Sequence, residues 1–286
     1  MSSGSSLLPI LIDPKNAMSS KQDQSTAQGR SINDNDPLEC DDRQHAPTSD
    51  QDTSNIVDTL LRDRFSCRYF LPDKVPDAQT LNAIFECARH APSGSNFQPW
   101  KIHVLRNDRK SQVAAQVQTA FDNDDPDAHK PPFTFYPDAK GLARPEYNHL
   151  LQRRKDFGAS FYGPLRIDRH DAAARRAVTA RNWTFFDAPV GLIVTTTDIA
   201  VAGSYLDVGF FVMSLLVSAR AHGLEACAQE SHAEFQDVYA DELALGERGE
   251  SVVCGVAVGY ADLERVKDLG GRQERMGLEE MVVWHE

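Results

Sequence analysis

The sequence predicts an α+β fold in which helices alternate with short buried strands in one core of about 230 residues. Three observations carry that prediction. Apolar residues recur at helical spacing in several separate segments. Two runs, 190–194 and 251–260, are apolar nearly throughout and of strand length, as expected of strands covered on both faces. At 286 residues and 41% apolar, the chain can bury a large core without disulfides or metal ions to staple it.

Residues 1–54 are expected to lie outside that core as a disordered polar extension, leaving 55–286 as the domain. Residues 1–55 hold nine acidic and four basic residues and one short apolar cluster, Leu7 to Ile12. That cluster is too short for a membrane span, and no Lys or Arg precedes it as a secretory signal requires. Ile56, Val57, Leu60 and Leu61 then mark a first helix, ending near Arg64. Pro76 and Asp77 open a second, with Leu81, Ile84, Phe85 and Ala88 on one face, stopping before Pro92. Trp100 to Leu105 reads as a strand. Residues 122–148, rich in Asp and Pro, read as a long excursion with little regular structure. Leu150 to Phe161 and Ala172 to Phe186 suit helices, and Val190 to Val194 a buried strand. Ser204 to His222 is a helix apolar nearly all round, closed by Gly223. Ala226 to Gln229 is a short strand, Glu234 to Tyr239 a short helix, and Ser251 to Tyr260 the last strand.

Composition removes several function classes. The net charge of −12 argues against a protein that coats nucleic acid or anionic membrane, since both need a basic face. In the 204–222 helix, Ser204, Asp207 and Arg220 cut the apolar run below the roughly 20 residues a bilayer needs, so it reads as core or subunit interface. Cys40, Cys67, Cys87, Cys227 and Cys254 are odd in number and widely spaced, which points to reduced thiols and a cytoplasmic setting. GxGxxG, GxxxxGK[ST], GxSxG and HExxH patterns are absent, and the nine histidines are scattered. With no metal set and no catalytic motif, a cofactor would have to supply the chemistry.

Three segments suit a flat anionic cofactor. In Arg64-Phe65-Ser66-Cys67-Arg68, extended alternation puts Arg64, Ser66 and Arg68 on one side, where two guanidiniums and a hydroxyl converge. Ala91 to Trp100 combines small residues with the polar side chains of Ser93, Asn96 and Gln98. Arg272-Gln273-Glu274-Arg275 follows the last strand. Each also has a plainer explanation: surface arginines, a helix-to-strand turn and a solvated tail.

Together these pieces resemble the nitroreductase family. The resemblance runs from about residue 56 to 286, in family order. It comprises Arg64-Phe65-Ser66-Cys67-Arg68, the block Pro92-Ser93-Gly94-Ser95-Asn96-Phe97-Gln98-Pro99-Trp100, Phe185 to Val190, Gly203 to Asp207, Gly223-Leu224 with Cys227, and Val253 to Tyr260. The resemblance implies a mixed or antiparallel central sheet flanked by helices, and a homodimer with FMN at the subunit interface. It implies NADH or NADPH as hydride donor and a nitroaromatic or quinone as acceptor, in ping-pong order, with no catalytic side chain demanded. The same scaffold also serves reductive dehalogenation, and a non-catalytic flavin-binding role is the alternative from another class.

By this resemblance Arg64 and Ser66 would hold the FMN phosphate, and Arg68 would lie near the flavin N1/O2 edge. Pro92, Ser93, Gly94 and Asn96 would reach the FMN of the other subunit. Gln229, Glu230 and Ser231 would pass beside the flavin, and Arg275, with Arg272, would return to the phosphate. Ala228 stands where the family usually has a proline, as does Gly277 near the C-terminus. Pro131, Pro132, Tyr136, Pro137, Arg153, Arg154 and Gly158 resemble a subgroup with an extra lid.

Overall fold

The computed structural model describes residues 50–123, 129–269 and 273–286. Four strands, β1 (Lys101–Arg106), β2 (Val190–Thr197), β3 (Glu225–Gln229) and β4 (Glu250–Gly259), form one sheet in the order β1-β2-β4-β3. All three strand pairs are antiparallel, so the antiparallel alternative is the one found. A single parallel bridge, Ser66 with Ala226, adds the 64–68 segment beside β3.

The two apolar runs are the two central strands, and the sheet divides two cores. Val190, Leu192 and Val194 of β2 face one cluster with Leu81, Ile84, Phe211 and Leu215. Ile193 faces the other, with Trp183, Phe185, Phe235 and Tyr239. That alternation is the period-two geometry of a strand whose faces are both covered. Helices α1 (Asp50–Asp63) and α2 (Ala78–Ala88) precede β1. Asp77 caps α2, accepting from the Thr80 backbone N–H at 2.7 Å. The first helix begins at Asp50, ahead of the expected boundary at 55.

Three differences from the sequence reading concern helices. α3 (Asn107–Asn123) follows β1 directly and was not anticipated. Only Val113, Ala114 and Val117 are buried on it, a stripe too narrow to stand out against its Asp, Gln and Asn. Within the expected excursion lie a short helix, α4 (Ala139–Leu142), and the start of α5 (Asn148–Tyr162). α6 (Ala172–Ala180) ends six residues early, because Phe185, Phe186 and Asp187 all adopt positive φ in a tight turn entering β2. The chain continues through α7 (Ala202–Ala221), α8 (Gln236–Leu243), α9 (Leu245–Arg248), α10 (Leu263–Leu269) and α11 (Leu278–Met281).

α7 is long and apolar enough to cross a membrane, yet one side packs on the sheet. Val208, Phe211, Leu215, Leu216 and Ala219 are buried there, with Trp100 stacked on Phe211 at 5.0 Å. Leu206, Phe210 and Met213, at helical spacing on the other side, are exposed. Gly223 ends the helix at φ +76°, a conformation open to glycine without strain.

One buried charge helps to fix the sheet. The Glu250 carboxylate, 6% exposed, accepts from Thr195 Oγ1 at 2.6 Å, lies 2.7 Å from His103 Nε2 and pairs with Lys101 at 3.0 Å. Burial alone would raise its pKa, but these partners outweigh burial and bring it from 4.5 to about 2. A depressed carboxylate stabilises the fold fully above its unfolded pKa, and that stability is lost as pH falls from about 4.5 towards 2. The expected contribution is about 3 kcal/mol. Urea midpoints measured between pH 2 and 6 should therefore fall more steeply for the native protein than for Glu250→Gln. Parallel curves would remove Glu250 as the cause.

Candidate active site

The site begins where the chain leaves α1. The Cys67 N–H donates to Ala226 O at 3.2 Å, which holds residues 64–68 extended against β3. Alternation then sends Cys67 into the core, fully buried, and Arg64, Ser66 and Arg68 the other way. Burial pushes the Cys67 thiol up to about 12, so it is no thiolate at neutral pH.

Arg64, Ser66 and Arg68 line a cavity of about 430 Å³. Its opposite wall is α5, through Phe157, Ser160 and Phe161. The Arg68 guanidinium lies 4.9 Å from the Phe161 ring centroid and 5.8 Å from that of Phe186. The C-terminal stretch closes the remaining side. Ser160 donates to Gln273 Oε1 at 2.8 Å, and Arg153 pairs with Glu280 at 2.5 Å, tying that stretch to α5. Arg275 is thereby brought to the same cavity, where its Nη1 donates to Gln273 O at 2.8 Å. Arg272 lies outside the described residues.

The remaining expected residues lie elsewhere. Pro92, Ser93, Gly94 and Asn96 form a surface turn in front of α7. Ser95, Asn96 and Gln98 adopt positive φ, and the turn is held by Ser93 Oγ, which accepts from Gln98 N at 2.9 Å. Asp207 Oδ1 accepts from Gly94 N at 3.1 Å, which anchors the turn to α7. Gln229, Glu230 and Ser231 sit at the far end of β3 and do not line the cavity. The turn after α6 links them to it. Arg181 Nη2 donates to Arg68 O at 2.7 Å, while neighbouring Asn182 accepts from Gln229 Nε2 through its O at 3.0 Å and its Oδ1 at 3.1 Å.

Arg181, Asn182, Phe157 and Phe161 are site residues the sequence reading missed. Arg181 carries a readable signal, a cation beside Trp183 and the Phe185-Phe186 pair. Phe157 and Phe161 are spaced i, i+4, one face of a helix.

An orphaned polar atom tests what the cavity accepts. Arg64 Nε is buried and has no partner among the described residues. A buried guanidinium N–H left unpaired is costly unless an acceptor arrives, and a phosphate oxygen is one. Arg68 and Arg275, with the aromatic walls, suit a large, flat, anionic molecule.

The nitroreductase family model matches residues 61–260. The chain belongs to the nitroreductase family. A 4-nitrobenzoate reductase of Pseudomonas putida is 40% identical over 205 residues, covering 72% of this chain and 85% of that protein. The FMN-dependent nitroreductase NfnB of Mycobacterium smegmatis, solved in complex with NADPH, superimposes with a TM-score of 0.73 at 29% identity. It covers 82% of this chain and all of that one. An FMN- and NADPH-dependent NfnB of a Sphigopyxis strain gives 0.73 at 32% identity, over 80% and 98%. In this family member β3 runs unbroken through Ala228, in register with Val256, so the expected proline is not needed to shape the strand.

Proposed function

We propose that this chain is an FMN-dependent oxidoreductase that carries hydride from NAD(P)H to nitroaromatic acceptors. The observation that carries it is the single cavity gathering Arg64, Ser66, Arg68 and Arg275 around an unpaired buried Arg64 Nε. Nitro-group reduction by its relative from Pseudomonas putida, at 40% identity, supports the substrate class.

Arg64, Ser66 and Arg275 bind the phosphate, two of them through guanidinium forks suited to paired oxygens. Arg68, held between Phe161 and Phe186, presents a fixed cation to the edge of the ring system where negative charge develops on reduction. FMN held there would supply the two-electron chemistry of hydride transfer between nicotinamide and acceptor. Phe157 and Phe161 shield the cavity from water and offer flat surfaces to an aromatic acceptor. The 93–98 turn and the exposed Leu206, Phe210 and Met213 stripe of α7 support a homodimer, with Pro92, Ser93, Gly94 and Asn96 reaching the partner's site.

The purified protein is expected to be yellow. Anaerobic NADPH or NADH should bleach it, and 4-nitrobenzoate should restore the colour in a second, separate step. Protein that cannot be loaded with FMN overturns the reading. Protein that loads but never bleaches assigns binding without catalysis.

A further inference from the structure

Arg68 lines the cavity with a cation, yet little in its own segment fixes that side chain. Its hydrogen bond there, from Nη1 to Ser66 O, is long at 3.3 Å. A charge free to move stabilises another charge less than one already in place. The stronger constraint comes from the turn after α6, where Arg181 Nη2 donates to Arg68 O at 2.7 Å. One residue earlier, the Cys67 N–H bonds β3 through Ala226 O. The segment is thereby held twice, by β3 at Cys67 and by Arg181 at Arg68.

The two side chains are coupled as well. The Arg181 guanidinium lies 5.5 Å from the Phe186 ring centroid, and that of Arg68 lies 5.8 Å from the same centroid. The Phe186 N–H donates to Arg181 O at 2.9 Å, and Phe186 is held at φ +53°, a region that bulky side chains avoid. Strain of that kind persists where the surroundings over-determine it, and it gathers at functional sites. Arg181 also rests on a fixed base. Its guanidinium lies 4.7 Å from the buried Tyr69 ring, and the next residue, Asn182, bonds back to Thr179 O through Nδ2 at 2.8 Å. Arg181 does not line the cavity, so its effect on a molecule bound there runs through Arg68.

We propose that Arg181 is a positioning residue. By gripping the Arg68 carbonyl and sharing the Phe186 ring with the Arg68 side chain, it holds that guanidinium at the edge of the bound flavin and so raises the flavin's reduction potential. The proposal rests on the reading that FMN occupies the cavity, and it adds which residue keeps the cation in place. A fixed cation favours the reduced ring system over the oxidised one, because negative charge develops at that edge only on reduction. Grip on the phosphate is separate, since on the same reading it belongs to Arg64, Ser66 and Arg275. Loss of Arg181 should therefore lower the potential while affinity for oxidised FMN holds, a split that mere loosening of the pocket would not give.

The test is anaerobic equilibration of the FMN-loaded protein with a reference dye of known potential. It compares native protein, Arg181→Met, Arg181→Lys, Arg68→Met and the Arg68→Met/Arg181→Met double variant. Arg181→Met is expected to disfavour the reduced flavin about tenfold, a midpoint about 30 mV more negative for a two-electron couple. Its Kd for oxidised FMN, titrated into apoprotein, should stay within about threefold of the native value. Arg181→Lys can still donate to the Arg68 carbonyl but lacks the planar fork, so its midpoint should fall between the two. In the Arg68→Met background, adding Arg181→Met should leave the midpoint where it was, because the two residues act as a unit. A native midpoint in Arg181→Met overturns the proposal. So does an equal fall with Arg68 present or absent, which would make Arg181 a distant charge in its own right. If Arg181→Met does not fold, Arg181→Lys decides: a lowered midpoint supports the proposal and a native one overturns it. Native protein that takes up no FMN fails the underlying reading instead.

Discussion

Gly255→Ala is expected to cost about 3 kcal/mol of stability, the upper end of overpacking in a close-packed core. The added methyl would lie 2.7 Å from Cγ and 2.8 Å from Nε2 of the His232 ring, and closer still to Cδ2. The ring has no retreat. It is fully buried, stacked on Phe185 at 4.5 Å, edge-on to Trp183 at 5.6 Å and bonded to the Tyr239 hydroxyl. Phe185 is pinned in turn, because a methyl on Gly191 would meet it at 2.7 Å. Burial holds the imidazole neutral, with a pKa of about 3, so a charged form offers no escape either. For a domain of this size the melting temperature should fall by about 6–12 °C. His232 directly follows Gln229, Glu230 and Ser231, so the same displacement should loosen FMN binding in protein that still folds. A melting temperature within 2 °C of the native one, read by calorimetry, would show that the ring moves aside without cost.

This arrangement also shows what a sequence discloses and what it withholds. The central strands were legible because burial on both faces leaves long apolar runs, 190–194 and 251–260. The cofactor side of 64–68 was legible because alternation needs only neighbouring residues, and Cys67 indeed turns inward while its neighbours line the cavity. α3 was not legible, since a helix covered on three residues carries little periodicity. Nor was the role of Arg181, which reaches Arg68 across more than a hundred positions of chain. The three consecutive positive φ values at 185–187 gave no local sign either: Phe185 and Phe186 are not residues that favour that region. The conformation is imposed by burying both rings in the core, Phe185 against β2 and Phe186 beside Arg68, a tertiary demand that overrides local preference.

Arg64→Ala is expected to weaken FMN binding by about 1.5–3 kcal/mol, the range for a hydrogen bond to a charged group. That is about a ten- to hundredfold rise in Kd, read by quenching of flavin fluorescence during titration of the apoprotein. The guanidinium is placed for this role by two constraints. The Arg64 N–H donates to Leu60 O at 3.1 Å, which fixes it at the end of α1, and its Nε is buried without a partner among the described residues. Arg64→Lys separates the contributions. It keeps the charge but loses the fork and the buried Nε–H, so it should recover only part of the affinity. Riboflavin, which has the ring system and no phosphate, separates them further. Its affinity should be the same for native protein, Arg64→Ala and Arg64→Lys if Arg64 acts on the phosphate alone. A parallel loss for riboflavin and FMN would mean that Arg64 shapes the cavity rather than grips the phosphate. Unchanged FMN binding in both variants would move the phosphate to Arg275, the guanidinium that the C-terminal stretch brings to the cavity.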